Sequence, residues 1–450
     1  MNKTVVIDIV GLSSSIIGAH TPFLSKYITE RHLNTIKPML PGLTTSVQSS
    51  YVTGKWPAEH GIVGNGWYDR EDCEVKFWKQ SNRLVQAEKI WEKAKKEDQA
   101  FTCSQMFMWY NMYSSADFSV TPRPNYLADG RKLPDIYSQP AELRDILQEK
   151  LGQFPLFQFW GPGANIKSTQ WIANASMLTD DLHDPTLTLI YLPHLDYCLQ
   201  KFGPDLFKIS KELREIDQVL EKLIRFYEKK NARIILLSEY GIAPVNNPIH
   251  LNRLFRQAGL LQIRVERGLE LLDAGASKAF VVADHQVAHV YINDPSVTEQ
   301  VKALLKNVPG IELILDRDAQ ADYHINHERS GDLVLMADKN SWFTYYFWLD
   351  DAKAPDYARM VDIHKKPGYD PVEMFMTSKL RAGYMLLRKK LGFRYVMDVI
   401  PLDARLIKGS HGSIHLAKEF HPVLITDKKL PGNFVQPTEV HDIIWQHLFF

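Results

Sequence analysis

Three acidic residues stand where β-rich runs end: Asp8 after VVI, Asp196 after LIYLPHL and Glu239 after IILLS. Carboxylates are expensive to bury, so an acid closing a buried strand needs a partner. At the carboxyl ends of three parallel strands they would converge on one sheet edge, where open α/β sheets bind ligands. Carboxylates brought together repel unless a cation neutralises them, so this placement predicts a divalent-metal site. Taken singly, each is as well explained as a helix cap or loop acid, because strand-to-helix turns favour Asp. The stretch LPGLTTSVQSSYVTGKWPAEHGIVGNGWYD adds hydroxyls. Thr44, Thr45 and Ser46 follow a Pro-Gly turn and precede a run that can start a helix, where backbone N–H groups attract phosphate. A metal-bound Thr oxygen becomes a competent nucleophile, although local chemistry alone makes these hydroxyls ordinary N-caps.

Other residues could join such a site. His411 lies in KGSHGS, Asp284, His285 and His289 in DHQVAH, Asp362 and His364 in DIHKKPGYDP, and His194 precedes Asp196 by two positions. His285 and His364 are the stronger additional ligand candidates, although either is more often a loop or core histidine. Arg123, Lys132 and the Lys365-Lys366 pair are candidate phosphate contacts, with a solvated surface charge as the ordinary alternative. The aromatic-rich stretch from Trp67 to Trp171 packs a core or walls a pocket, and Trp67, Trp109 and Trp160 are the candidates for the pocket.

The elements that must position these residues are legible as patterns. Thr4–Ile9 reads as a strand buried on both faces, and runs at 187–192, 233–237 and 421–425 share its character. The helical pattern over 206–229 lies between two of them, so that pair is parallel with a crossover. Helices are also expected over 21–31 and 439–448. The middle differs: short strand-like runs at 279–282, 288–292, 311–315, 332–336 and 342–348 surround one helix at 296–307. That mixture predicts an α+β cap over 261–398, inserted in a core formed by 1–260 with 399–450.

The spacing from Thr44 to TGKWPAEHGIVGN resembles the nucleophile region of nucleotide pyrophosphatases/phosphodiesterases and phosphonoacetate hydrolases, in the alkaline phosphatase superfamily. The resemblance continues through Asp8, YLPHLDYCLQKFGP, LLSEYG and KGSHGS in order. It implies an alkaline-phosphatase-like three-layer α/β sandwich with a mainly parallel central sheet. The family's nucleophile stands nine residues before a Thr-Gly pair, here Thr53-Gly54, which selects Thr44 over Thr45. The resemblance also implies that Asn65 donates to a phosphate oxygen. For a first zinc it implies Asp196 and His411, and for a second Asp8 and Thr44. Three positions depart: Gln200 replaces a His ligand, and Glu239-Tyr240 replaces an Asp-His pair. Glu239 can still ligate, whereas Gln200 and Tyr240 are poorer ligands than imidazole. The surviving set, with one imidazole, favours Mg²⁺, Mn²⁺ or Ca²⁺ over Zn²⁺ as one or two bound ions.

The 450 residues carry 53 basic and 53 acidic side chains, a balance that offers no reason to expect nucleic-acid polymers or an anionic membrane as partners. Cys73, Cys103 and Cys198 are widely spaced and odd in number, so a reducing, cytoplasmic setting is expected. The expected activity is hydrolysis of small phosphodiester or pyrophosphate substrates through a phospho-threonine. The alternatives are phosphonate or phosphomonoester hydrolysis at the same site, or an inactive ligand-binding or scaffold protein.

Overall fold

The computed structural model describes residues 1–432 and 434–450. Its centre is a nine-stranded sheet, in the order Phe434–Val435, His32–Ile36, Val423–Thr426, Arg233–Leu237, Thr4–Ile9, Leu187–Leu192, Cys103–Met106, Phe118–Pro122 and Ile136–Gln139. The strands from Arg233–Leu237 to Phe118–Pro122 run parallel. The run expected at 421–425 forms the Val423–Thr426 strand, which pairs antiparallel with both its neighbours. Every residue of Thr4–Ile9 and Leu187–Leu192 is buried, so both faces of the sheet need cover. Ile166–His183 packs on Leu187–Leu192 and against Ser210–Lys229, which packs on Arg233–Leu237, while Glu439–Phe449 packs on Thr44–Thr53 and on the first strand. The helix expected from 206 begins at Ser210, since Asp205 accepts from the backbone N–H groups of Phe207 and Lys208 and holds a turn there.

A second, four-stranded sheet is antiparallel throughout, ordered Ala279–Asp284, Val287–Ile292, Leu333–Ala337 and Ile311–Leu315. Thr298–Lys306 packs against Ile311–Leu315. The apolar core around this sheet also draws in Leu43, Ile62, Val63, Trp67 and Phe77. Of the strand expected at 342–348, only Ser341–Phe343 pairs, with Asn247–Ile249. Tyr345, Tyr346, Phe347 and Trp348 are all buried, and in place of a ladder the side chains of Asn252, Arg256 and Arg253 donate to the carbonyls of Tyr345, Phe347 and Trp348. Lys379–Lys390 adds a helix that the strand-like pattern of the middle region did not predict. Among the described residues no helix is long and apolar enough to cross a membrane.

Candidate functional site

Register explains the convergence of the acids. Asp8 lies level with Leu237 on one neighbouring strand and Tyr191 on the other, so the chains leaving all three strands emerge side by side. Glu239 follows two residues after Leu237. Asp196 sits in the first turn of His194–Phe202, where a carboxylate complements the helix dipole, and Gln200 lies one turn further along the same helix. Thr44 is the first residue of Thr44–Thr53 and is buried. That helix ends at Gly54 in the left-handed region, φ 68°, where an added Cβ would meet the His441 ring at 3.1–3.2 Å. The Thr-Gly pair therefore stops the helix that carries Thr44.

Around Asp196 the side chains satisfy one another. Gln200 Nε2 donates to Asp196 Oδ2 at 2.8 Å, Tyr240 OH donates to Asp196 Oδ1 at 3.3 Å, and Tyr369 OH donates to Gln200 Oε1 at 3.0 Å. Thr44 Oγ1 lies 3.0 Å from Tyr240 OH. Tyr240 spends its proton on Asp196, so the Thr44 hydroxyl is the donor in that contact. Burial nevertheless pushes Asp196 up to about 7, against these hydrogen bonds.

Around Asp8 the opposite holds. Both oxygens of Asp8 and Oε2 of Glu239 are buried without a hydrogen-bond partner. Burial raises the Asp8 pKa well above the usual carboxylate range, and the neighbouring Glu239 charge raises it further. Glu239 rises to about 7 through burial, with the neighbouring Asp8 carboxyl, Gln48 and Thr44 opposing. Gln48 Nε2 donates to Glu239 Oε1, and Gln48 Oε1 accepts from the Trp109 backbone N–H at 2.7 Å.

The second sheet contributes a hairpin tip. His285 follows Asp284 at that tip and holds φ 57°, a left-handed conformation uncommon for a bulky side chain. Its Nδ1 donates to Asp284 Oδ1 at 2.8 Å, and its Nε2 is buried without a partner. His411 Nδ1 donates to the Gly42 carbonyl at 2.8 Å, which leaves its Nε2 as a second bare lone pair. Burial holds both imidazoles well below the usual histidine range. Four rings stack in series: Tyr240 on His411 at 3.5 Å, His411 on His285 at 3.8 Å, and His285 on Tyr369 at 3.7 Å.

Several sequence candidates therefore meet: Thr44, Asp196, Gln200, Tyr240, His285 and His411 form one cluster, and Asp8 and Glu239 adjoin Thr44. Asn65 Oδ1 accepts from Thr45 N, and one hydrogen of its Nδ2 goes to Asp284 Oδ1 at 3.2 Å, which leaves the second amide hydrogen as a donor. His364 faces the Phe77 carbonyl at 3.4 Å at the outer part of the cleft, away from the acids. Trp67 packs in the second core under Arg329, and Arg123 is exposed. Lys366 is buried in ion pairs with Asp370 and Glu373, 2.7 Å each, which makes it a structural cation. Trp109 and Trp160 line the cleft. Gln48, Tyr369 and Asp284 complete the cluster without a spacing signal of their own; each matters through its tertiary neighbour.

The donor set discriminates between metal arrangements. Among the described residues no group of three or more His, Cys, Asp or Glu side chains is gathered closely enough to hold an ion. The ligand set that the resemblance implies for two zinc ions is incomplete, because Gln200 and Tyr240 bring no imidazole, although the buried and unpartnered Nε2 atoms of His285 and His411 lie in the same cluster. The bare oxygens of Asp8 and Glu239 beside Thr44 do fit one hard cation, which would relieve their repulsion.

A large central sheet with acids gathered at its carboxyl edge and a threonine at a helix N-terminus defines an alkaline-phosphatase-like α/β protein. The family model for type I phosphodiesterase / nucleotide pyrophosphatase matches residues 4–370, and the chain belongs to that family. It is 26% identical to an ectonucleotide pyrophosphatase/phosphodiesterase of Saccharomyces cerevisiae, over 54% of this chain and 48% of that protein. A pyrophosphatase/phosphodiesterase of Schizosaccharomyces pombe is also 26% identical, over 50% of this chain and 41% of its own length. The chain thus aligns with less than half the length of these relatives. Among solved structures, phosphonoacetate hydrolase from Sinorhizobium meliloti with phosphonoacetate aligns at TM-score 0.63 and 14% identity, over 99% of this chain and 96% of that one. Murine ectonucleotide pyrophosphatase/phosphodiesterase 5, an inactive variant with AMP, aligns at 0.59 and 14%, over 100% and 95%.

Proposed function

We propose that this protein hydrolyses phosphate esters with Thr44 as nucleophile. The observation that carries this is the unbroken path Thr44–Tyr240–Asp196 at 3.0 and 3.3 Å. Thr44 Oγ1 attacks phosphorus while its proton moves to the Tyr240 oxygen, and Tyr240 passes its own proton to Asp196. The product is a phospho-threonine, and water then cleaves that bond in a second displacement. Thr44 opens its helix, whose positive dipole end favours the developing charge on the phosphoryl oxygens, while the Thr45 N–H is held by Asn65 Oδ1. Asn65 acts as a positioning residue, tying Thr45 to the Asp284–His285 hairpin tip. Asp8, Glu239 and Thr44 would hold a single hard divalent cation, Mg²⁺, Mn²⁺ or Ca²⁺ rather than paired Zn²⁺. When bound, it would supply charge neutralisation and Lewis-acid assistance at phosphorus.

Phosphodiesters, phosphonates and phosphomonoesters all remain candidate substrates of this machinery. The test is a panel of a nitrophenyl phosphodiester, monoester and phosphonate, each with every candidate cation. Intact-mass detection of phosphorylated wild type, and none in Thr44→Ala, is the expected result; turnover by Thr44→Ala overturns it. The internal satisfaction of Asp196 by Gln200 and Tyr240 favours a second reading, an inactive ligand-binding member of the fold. That reading requires no turnover on any substrate with any cation.

A further inference from the structure

The cleft that ends at Thr44 is far larger than a phosphate needs. Its volume is about 1440 Å³, beyond the roughly 300–1,000 Å³ of most small-molecule sites. Thr44, Asp196 and Tyr240 lie at its inner end. Its outer wall is the Lys379–Lys390 helix, which turns Ala382, Met385, Leu386 and the stem of Lys389 into the cleft at positions i, i+3, i+4 and i+7. The turn after it adds Phe393 and Val396. This wall lies beyond residue 370, outside the segment that matches the family model.

The lining is mostly hydrocarbon. Its aromatic side chains pack on one another rather than forming an open slot: Trp109 lies on Trp78 at 4.7 Å, and Trp160 lies on Tyr197 and Tyr369 at 5.8 Å each. Leu386 and Phe393 line the cleft yet remain 53% and 60% exposed, so it opens sideways to solvent along an apolar edge. On the outside of the same helix Leu380 and Leu387 are 88% and 53% exposed, with Leu391 just after it at 63%, while the cations Arg381, Arg388 and Lys389 border the cleft itself. Exposed leucines among clustered cations are the pattern of a surface that meets amphiphiles. The overall charge balance averages this local cluster away.

We propose that the substrate is a phosphate ester of a long-chain hydrophobic alcohol. Its hydrocarbon lies along the cleft under Lys379–Lys390, and its phosphate sits at Thr44. The proposal rests on the hydrolytic reading of Thr44. The Thr44 Oγ–P bond forms as the P–O bond to the long-chain alkoxide breaks. The departing alcohol takes a proton, and water later releases phosphate and restores Thr44.

The test measures binding separately from turnover. Butyl-, octyl- and dodecylphosphonate, below their aggregation concentrations, and AMP are titrated into the full chain with Mg²⁺, followed by tryptophan fluorescence and calorimetry. Affinity is expected to rise at least about tenfold from butyl to octyl, with AMP weaker than octylphosphonate. Thr44→Ala should keep that gradient. Ala382→Trp, which fills the cleft, and Leu386→Glu, at a half-exposed position that tolerates a charge, should each flatten it while circular dichroism stays unchanged. Equal affinity across chain lengths, tighter binding of AMP, or a gradient untouched by a folded Leu386→Glu variant overturns the proposal. A chain-length gradient without hydrolysis of any alkyl phosphate sinks the hydrolytic reading and leaves the cleft assignment standing. Thr44-dependent hydrolysis that ignores chain length does the reverse.

Discussion

The two sides of the site deal with buried carboxylate charge in opposite ways. Asp196 is surrounded by donors from its own chain, Gln200 and Tyr240, and Tyr369 in turn supports Gln200. Asp8 and Glu239 leave three oxygens bare. Both solutions obey the same rule, that a buried charge needs compensation. The first compensates with one protein hydrogen bond to each carboxylate oxygen. The second stays destabilising until a cation or protons arrive.

Thr44 touches both sides, so Thr44→Ala should break both, lowering kcat by about 10⁴-fold or more in a discontinuous assay. Asp8→Asn addresses the open side alone. It should cost about 10³-fold in activity and abolish the Mg²⁺- or Mn²⁺-dependent rise in Tm. In EDTA the same variant should be more stable than wild type by on the order of 1 kcal/mol, because one of two repelling acids is gone. A cation shift that survives Asp8→Asn would remove the distinction between the sides. Tyr240→Phe addresses the relay alone. It should lower kcat about 10²- to 10³-fold while leaving the cation shift in Tm intact, and unchanged kcat would show that Tyr240 carries no proton.

Smaller effects sharpen the contrast. Burial raises Asp196 from 3.8, Glu239 from 4.5 and Asp284 from 3.8, each to about 7. Between those values the folded chain holds protons that the unfolded chain has released. The contribution of these three acids to stability in EDTA should therefore be greatest below about pH 4, fall as pH rises towards 7 and level off above it. It is opposite in sign to that of the buried His285 and His411, so the Asp196 part is read as the difference between wild type and Asp196→Asn. Denaturant melts across that range check the sign. Saturating cation should flatten the part of this slope owed to Asp8 and Glu239 and leave the part owed to Asp196. Asn65→Ala should have the least effect on chemistry, about tenfold in kcat, through the loss of the amide that ties Thr45 to the hairpin tip.

Much of the frame was legible as pattern. Thr4–Ile9, Leu187–Leu192 and Arg233–Leu237 appear at the residues where continuous apolar runs place them. The acids after them converge because parallel strands bring their carboxyl ends together. The antiparallel course of Val423–Thr426 was not legible, since an all-buried strand looks the same in either direction. Nor was the shortened strand at Ser341–Phe343, after which side-chain donors replace pairing.

The site divides along the same line. Residue chemistry alone leaves Thr44, Thr45 and Ser46 as equal N-cap candidates; it is the resemblance to the family's motifs that selects Thr44, aligns Asp8, Asp196 and His411, and marks Gln200, Glu239 and Tyr240 as departures. Whether those departures ligate or hydrogen-bond depends on distances between segments nearly two hundred residues apart, as with Thr44 and Tyr240. The fold seats Tyr240 between Thr44 and Asp196, turns the Asn65 amide towards Asp284, and closes the cleft with the helix at Lys379–Lys390. A side chain's partners are set by packing in three dimensions, and one-dimensional spacing constrains only neighbours on the same strand or helix.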